Sequence, residues 1–163
     1  MSALAFYGQF NYINSKHIQY REDFMQRADL HIHTIASDGL LYPEEVVEWA
    51  YRIGLRAISI TDHDTVSGID RALYALKNTN LLEIIPGVEL NTDYFGEEIH
   101  MLGYCINYKN PRFLNILKKM QQARYDRALK IIQKLNDLNI MITMEQVKKL
   151  AKGSSIGRPH IAQ

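Results

Sequence analysis

The sequence has almost no cysteine. Cys105 stands alone, which rules out an internal disulfide and fits a reducing cytoplasm. Long apolar runs are also missing. None approaches the roughly 20 residues that cross a bilayer as a helix, and the N-terminus lacks the basic segment and continuous apolar core of a signal peptide. A cytoplasmic protein with no membrane partner is therefore expected. Nor is one sign of charge in excess, since 19 basic and 18 acidic residues leave a formal net charge of +1. Stable binding of duplex nucleic acid is not expected, because its footprint is a clear surplus of Lys and Arg. Internal repeats and low-complexity segments are absent too. What remains is 163 residues, 47% of them hydrophobic, enough for one compact domain with a core.

The informative residues are histidines and acids placed at the ends of apolar runs. His31-Ile32-His33 belongs to a strand expected over 28–34, where side chains alternate with a period of two and both imidazoles share a face. Asp38-Gly39 follows in a turn that returns toward the same spot. Asp62-His63-Asp64 closes a strand expected over 55–61, Glu89 falls late in another over 82–90, and His100 sits in the run 99–104. Pro43, Glu44 and Glu45 suit a helix start, with Val46, Val47, Ala50 and Ile53 at helical spacing and Gly54 as a left-handed stop. A second helix is expected over 69–77, with Ile69, Leu73 and Leu76 on one face. This alternation implies an α/β protein with a parallel sheet or barrel and helices outside. Chemistry in such folds gathers at the carboxyl ends of the strands.

From Asn110-Pro111 a long helical stretch begins, and the charged segment Arg124-Tyr125-Asp126-Arg127 is expected to break it in two. Thr143 and Gln146 read as a capping box opening a last short helix.

Each polar residue has a plainer reading when taken singly. A lone strand histidine is more often hydrogen-bonded than metal-bound, and Asp38-Gly39 is a turn signal. Asp64 reads best as a cap for the following helix. Glu89 alone could be a surface residue, and His100 a satisfied core imidazole. Together, however, His31, His33, Asp38, His63, Glu89 and His100 supply six candidate metal ligands from four consecutive strands. Imidazoles and carboxylates without thiolates suit Mn²⁺, Fe²⁺ or Zn²⁺. Six ligands are too many for a single catalytic ion that keeps a position open, whereas two or three bridged ions fit. Such clusters stabilise both the attacking and the leaving oxygen in phosphoryl displacement.

The segments "ADLHIHTIAS" at 28–37 followed by Asp38-Gly39, "SITDHDTVSG" at 59–68, "IPGVELN" at 85–91 and "EIHMLGY" at 98–104 resemble the PHP (polymerase and histidinol phosphatase) domain. "RYDRALKIIQKLNDLNI" at 124–140 and "IGRPHIA" at 156–162 are similar to one branch of it. That branch is the stand-alone phosphoesterases acting on nucleotides, including nucleoside bisphosphate phosphatases and exoribonucleases acting on short RNA.

The resemblance implies an incomplete, distorted (β/α)7 barrel with a helical insertion and two or three divalent ions, Mn²⁺ foremost. His31, His33 and Glu89 would share one ion, Glu89 and His100 a second, and Asp38 and His63 a third. Arg158 and His160 match a Gly-Arg-Pro-His motif expected to contact the substrate phosphate, which a bidentate guanidinium suits. The alternative is that Pro159 ends a loop and His160 caps a helix. The expected nucleophile is a metal-bound hydroxide, so no Ser or Cys is needed.

Four segments follow: an N-terminal extension over 1–24, with a natural start at Met25 (or else an extra docking helix); the first part of the barrel over 25–108; the helical insertion over 109–155; and the return to the barrel over 156–163. Further family ligands, a histidine and a closing Gly-Ser-Asp-x-His motif, do not occur in these residues, so full activity is expected to need sequence beyond them. The expected substrate is a phosphate monoester of a nucleotide or the 5′-end of a short nucleic acid. Histidinol-phosphate phosphatase is the alternative activity, and a truncated, non-catalytic PHP module the alternative class.

Overall fold

Two βα units are set by the way their helices begin and end. In the computed structural model, which describes residues 27–76 and 81–163, strand β1 (Ala28–Ile32) leads into helix α1 (Pro43–Arg52). The expected extension over 1–24, and Lys77 at the expected end of the second helix, lie outside the described residues. Helix α1 starts where the sequence predicts. Pro43 needs no partner for an N–H in the first turn, and Glu45 Oε2 accepts the Tyr42 N–H at 2.7 Å. Gly54 ends the helix with φ at +75°, its N–H reaching the Tyr51 carbonyl. Val46, Val47 and Ala50 are buried, but Ile53 is not, because it is the capping residue and has left the helical repeat.

Strand β2 (Ala57–Ile60) and helix α2 (Ile69–Ala75) make the second unit, and β3 (Glu83–Tyr94) follows. β1, β2 and β3 are parallel neighbours. Ile58, Ile60 and Ile84 on the strands close against Val46, Val47, Ile69 and Ala72 on the helices, forming the main apolar core.

The fourth strand, β4 (Glu97–Tyr104), departs from the all-parallel expectation. It runs antiparallel to β3, which itself continues past the expected end near residue 90. The reason is local. Phe95 and Gly96, at φ of 52° and 86°, form a two-residue hairpin, and a connection that short cannot carry a parallel crossover. With the order β1-β2-β3-β4, the described strands form an incomplete α/β barrel wall.

Helix α3 (Pro111–Asp137) is capped by Asn110, whose Oδ1 accepts the Arg112 and Phe113 N–H groups. The expected break at Arg124–Arg127 does not occur. Arg124 and Arg127 turn toward the sheet and find Asp64 and Glu98 there, so the helix runs through. Thr143 and Gln146 form the predicted capping box and open α4 (Met144–Leu150). A last short helix, α5 (Arg158–Ala162), completes the described chain. The helices share a small apolar cluster of Ala128, Ile132, Val147 and Ile161. Leu114 and Leu129 on α3, and Leu138 at its end, are exposed. No described helix is long and apolar enough to cross a membrane.

Candidate metal centre

Backbone pairing brings the candidate ligands together before any side chain is considered. Beyond the end of β2, His63 forms an isolated parallel bridge with Glu89 on β3. The Asp64 N–H donates to the Glu89 carbonyl at 2.9 Å, so the two side chains start from neighbouring positions. On the other side, the Thr61 N–H donates to the Ile32 carbonyl, which sets the end of β1 beside the same point.

Asp38 is returned by a tight turn in which the Ser37 and Gly39 N–H groups both donate to the Thr34 carbonyl. A Cβ at Gly39 would lie 2.3 Å from the His33 carbonyl oxygen, so only glycine permits this approach. The turn is pinned by Asp62, which is fully buried. Its carboxylate accepts from the Thr34 N–H, the Thr34 hydroxyl and the Ser37 hydroxyl, each at 2.7 Å. Burial pushes the Asp62 carboxyl up, and these three donors only partly offset it.

Glu89 is the hub. It is 3% exposed, yet four imidazoles surround its carboxylate. His31 Nε2 and His33 Nε2 each lie 2.9 Å from Oε2, and His100 Nδ1 lies 2.7 Å from Oε1. His63 Nδ1 stands 3.5 Å away and, though buried, has no hydrogen-bond partner. Asp38 touches His33 Nδ1 at 3.4 Å and His63 Nε2 at 3.6 Å.

Burial opposes ionisation of Glu89, but the contacts with His31 and His100 and the nearby His63 and His33 outweigh it and hold the carboxyl below its ordinary range. Burial also pushes the His63 imidazole down to about 4, which Asp38 and Glu89 only partly oppose. A neutral imidazole with an unpartnered buried nitrogen is the form that binds a metal.

The donor set fits divalent cations. Among the described residues, three overlapping trios each place their donor atoms within 4.8 Å of one another: His31, His33 and Glu89; His33, Asp38 and His63; and His63, Glu89 and His100. All six candidate ligands fall in these groups.

Arg158 and His160 are placed differently from each other. Arg158 is open to solvent and lines a cavity of about 370 Å³ together with Asp38, His63, His100, Arg124 and Arg127. His160 is buried, and its Nδ1 accepts the Gly157 N–H at 3.0 Å, which caps α5. Burial pushes its imidazole down, and Asp38 pulls the other way.

Sequence reasoning gave no role to Glu98, Arg124 or Arg127. Glu98 contacts His100, Arg127 and Arg158; burial opposes its ionisation, but these partners hold its carboxyl down to about 2. Arg124 is buried and ion-paired to Asp64, while its Nη2 has no partner. Asp64 therefore does not cap α2, whose N-cap is Gly68; it accepts the Asn91 N–H and the Arg124 guanidinium. The one available signal was the run of charges inside an otherwise apolar-periodic helix.

The PHP domain profile matches residues 29–154. The chain is 37% identical over 138 residues to a 5′-3′ exoribonuclease of Haemophilus influenzae, covering 85% of this chain and 50% of that protein. It is 31% identical over 104 residues to a 3′,5′-nucleoside bisphosphate phosphatase of Chromobacterium violaceum, covering 64% of this chain and 36% of that one. In structure it matches an inferred metal-dependent phosphoesterase of Bifidobacterium adolescentis with a TM-score of 0.77 and 32% identity, over 85% of this chain and 49% of that one. The chain thus spans half or less of the length of these curated relatives. The profile match takes in all six residues gathered around the buried Glu89 carboxylate, and the chain belongs to the PHP domain family.

Proposed function

We propose that the chain carries the metal-binding part of a phosphoesterase that hydrolyses a phosphate monoester of a nucleotide, or the 5′-end of a short nucleic acid. The observation that carries this reading is Glu89, a buried carboxylate with four imidazoles at 2.7–3.5 Å. His31, His33, Asp38, His63, Glu89 and His100 would hold two or three divalent ions. The nitrogen and oxygen set suits Mn²⁺, Fe²⁺ or Zn²⁺, and the family resemblance puts Mn²⁺ first. Bound there, the ions would supply Lewis acidity and activate water.

The protein's own residues do the rest. Arg158, open at the cavity rim, binds the phosphate through its guanidinium fork. Arg124, whose buried Nη2 has no partner, lines the same cavity. His160 positions rather than binds: its ring seats the Gly157–His160 turn and so places Arg158. Asp62 fixes the loop that carries Asp38. Residues 109–155 act as a helical insertion, bringing Arg124 and Arg127 over the strand ends. The relatives named above act on RNA and nucleoside bisphosphates, which supports a nucleotide substrate here. The near-neutral charge supports neither duplex nucleic acid nor a membrane surface as partner, and the lone cysteine supports a cytoplasmic setting.

Turnover is placed in a protein of the relatives' full length. With Mn²⁺, that protein should release phosphate from a nucleoside 3′,5′-bisphosphate. Arg158→Ala should raise KM by about 10-fold or more, the worth of a charge-assisted contact. No release, or turnover by His33→Ala at the parent's rate, contradicts the reading.

A further inference from the structure

β4 carries a second carboxylate beside the centre. Glu98 precedes His100 by two residues, so both side chains leave the same face of the strand. Its Oε1 lies 3.2 Å from His100 Nε2 and 3.2 Å from Arg127 Nη1, and its Oε2 lies 3.0 Å from Arg158 Nη1. One side chain on the sheet thereby gathers an arginine from α3 and an arginine from α5. α3 and α5 share a small apolar cluster, but no β4 side chain belongs to either apolar cluster, and the two arginines meet at the Glu98 carboxylate. Each guanidinium contacts Glu98 through one terminal nitrogen and retains further N–H donors. Both border the cavity that opens onto His63 and His100.

A carboxylate beside an anion site ordinarily weakens it by repulsion. Here it performs the opposite task. We propose that Glu98 is a positioning residue that holds Arg127 and Arg158 as one fork for the substrate phosphate. This rests on the reading of Arg158 given above and adds Arg127 as its partner. Glu98 touches neither the phosphate nor the reacting atoms. It spares the two long side chains the freedom they would otherwise lose when the anion binds.

The sign of one substitution decides the matter. Inorganic phosphate would be titrated calorimetrically into the 163-residue protein, metal-free and after Mn²⁺ loading. Glu98→Gln should weaken phosphate binding by about three- to tenfold in both states, and Glu98→Asp should recover part of the loss. Metal content should stay at the parent's level, because the Gln carbonyl still accepts from His100. In an Arg127→Ala background the same Glu98→Gln change should no longer weaken binding, since the fork is already gone. Tighter or unchanged phosphate binding by Glu98→Gln overturns the proposal, as does a parent that binds no phosphate. Arg158→Ala with the parent's phosphate affinity instead overturns the reading of Arg158 on which the proposal rests.

Discussion

The sheet with α1 and α2 and the layer of α3, α4 and α5 are held in opposite ways. The first is joined by apolar burial spread over many side chains, with Ile58, Ile60, Ile69 and Ala72 almost wholly out of water. The second has a small apolar cluster of its own and meets the strand ends through a few polar contacts. Asp64 receives Arg124 and, at its carbonyl, the Gln121 side chain; Glu98 receives Arg127 and Arg158; and Thr65 meets Ser154. Distributed burial tolerates the loss of any one methyl group, while a concentrated polar joint does not tolerate the loss of either partner. The contrast also suits a division of labour. In the function proposed above, the sheet would hold the metal ligands still and the helices would present cations to the substrate anion.

Arg124→Ala should cause the largest loss, about 3–5 kcal/mol, because it leaves the Asp64 carboxylate buried without its cation. Hydrogen exchange should show the loss first in the middle of α3, and a uniform loss across β2 and β3 would erase the distinction between the two regions. Acid comes next. In metal-free protein the His63 imidazole is held down to about 4 by burial, whereas the unfolded chain binds that proton near 6.5. Between those values the unfolded state carries more protons, so stability is full above about 6.5 and falls as pH drops toward 4. Thermal melts across that window should show a decline worth roughly 1–3 kcal/mol, and His63→Asn should flatten it. The smallest effect belongs to the apolar core. Ile58→Val should cost about 0.5–1.5 kcal/mol and shift the whole cooperative melt without changing its shape.

The strand ends were legible because their signals are local. His-x-His, the tight Asp38-Gly39 turn and the Pro43 helix start each declare themselves within a few residues, and His63, Glu89 and His100 stand in or at the ends of short apolar runs. The direction of β4 was set by the hairpin at Phe95 and Gly96, whose positive φ at Phe95 is not a common choice for a bulky residue. Arg124 looked like a helix breaker because its partner, Asp64, lies 60 residues away in the chain. Glu98 was hidden for the same reason, its arginines being supplied by helices 29 residues on and beyond. His160 could be read as a phosphate contact or as a cap, and only its burial and the Gly157 N–H distinguish the two arrangements.

Metal content tests the central claim most directly. The 163-residue protein would be loaded with Mn²⁺, freed of excess by gel filtration and measured by elemental analysis beside His31→Ala, His33→Ala and Glu89→Ala. The account predicts more than one ion per parent chain, a clear loss in every variant, and greater losses for Glu89→Ala and His33→Ala than for His31→Ala, because Glu89 and His33 each belong to two of the three donor trios and His31 to one. A parent that retains no ion, or a Glu89→Ala protein with the parent's metal content, would contradict it.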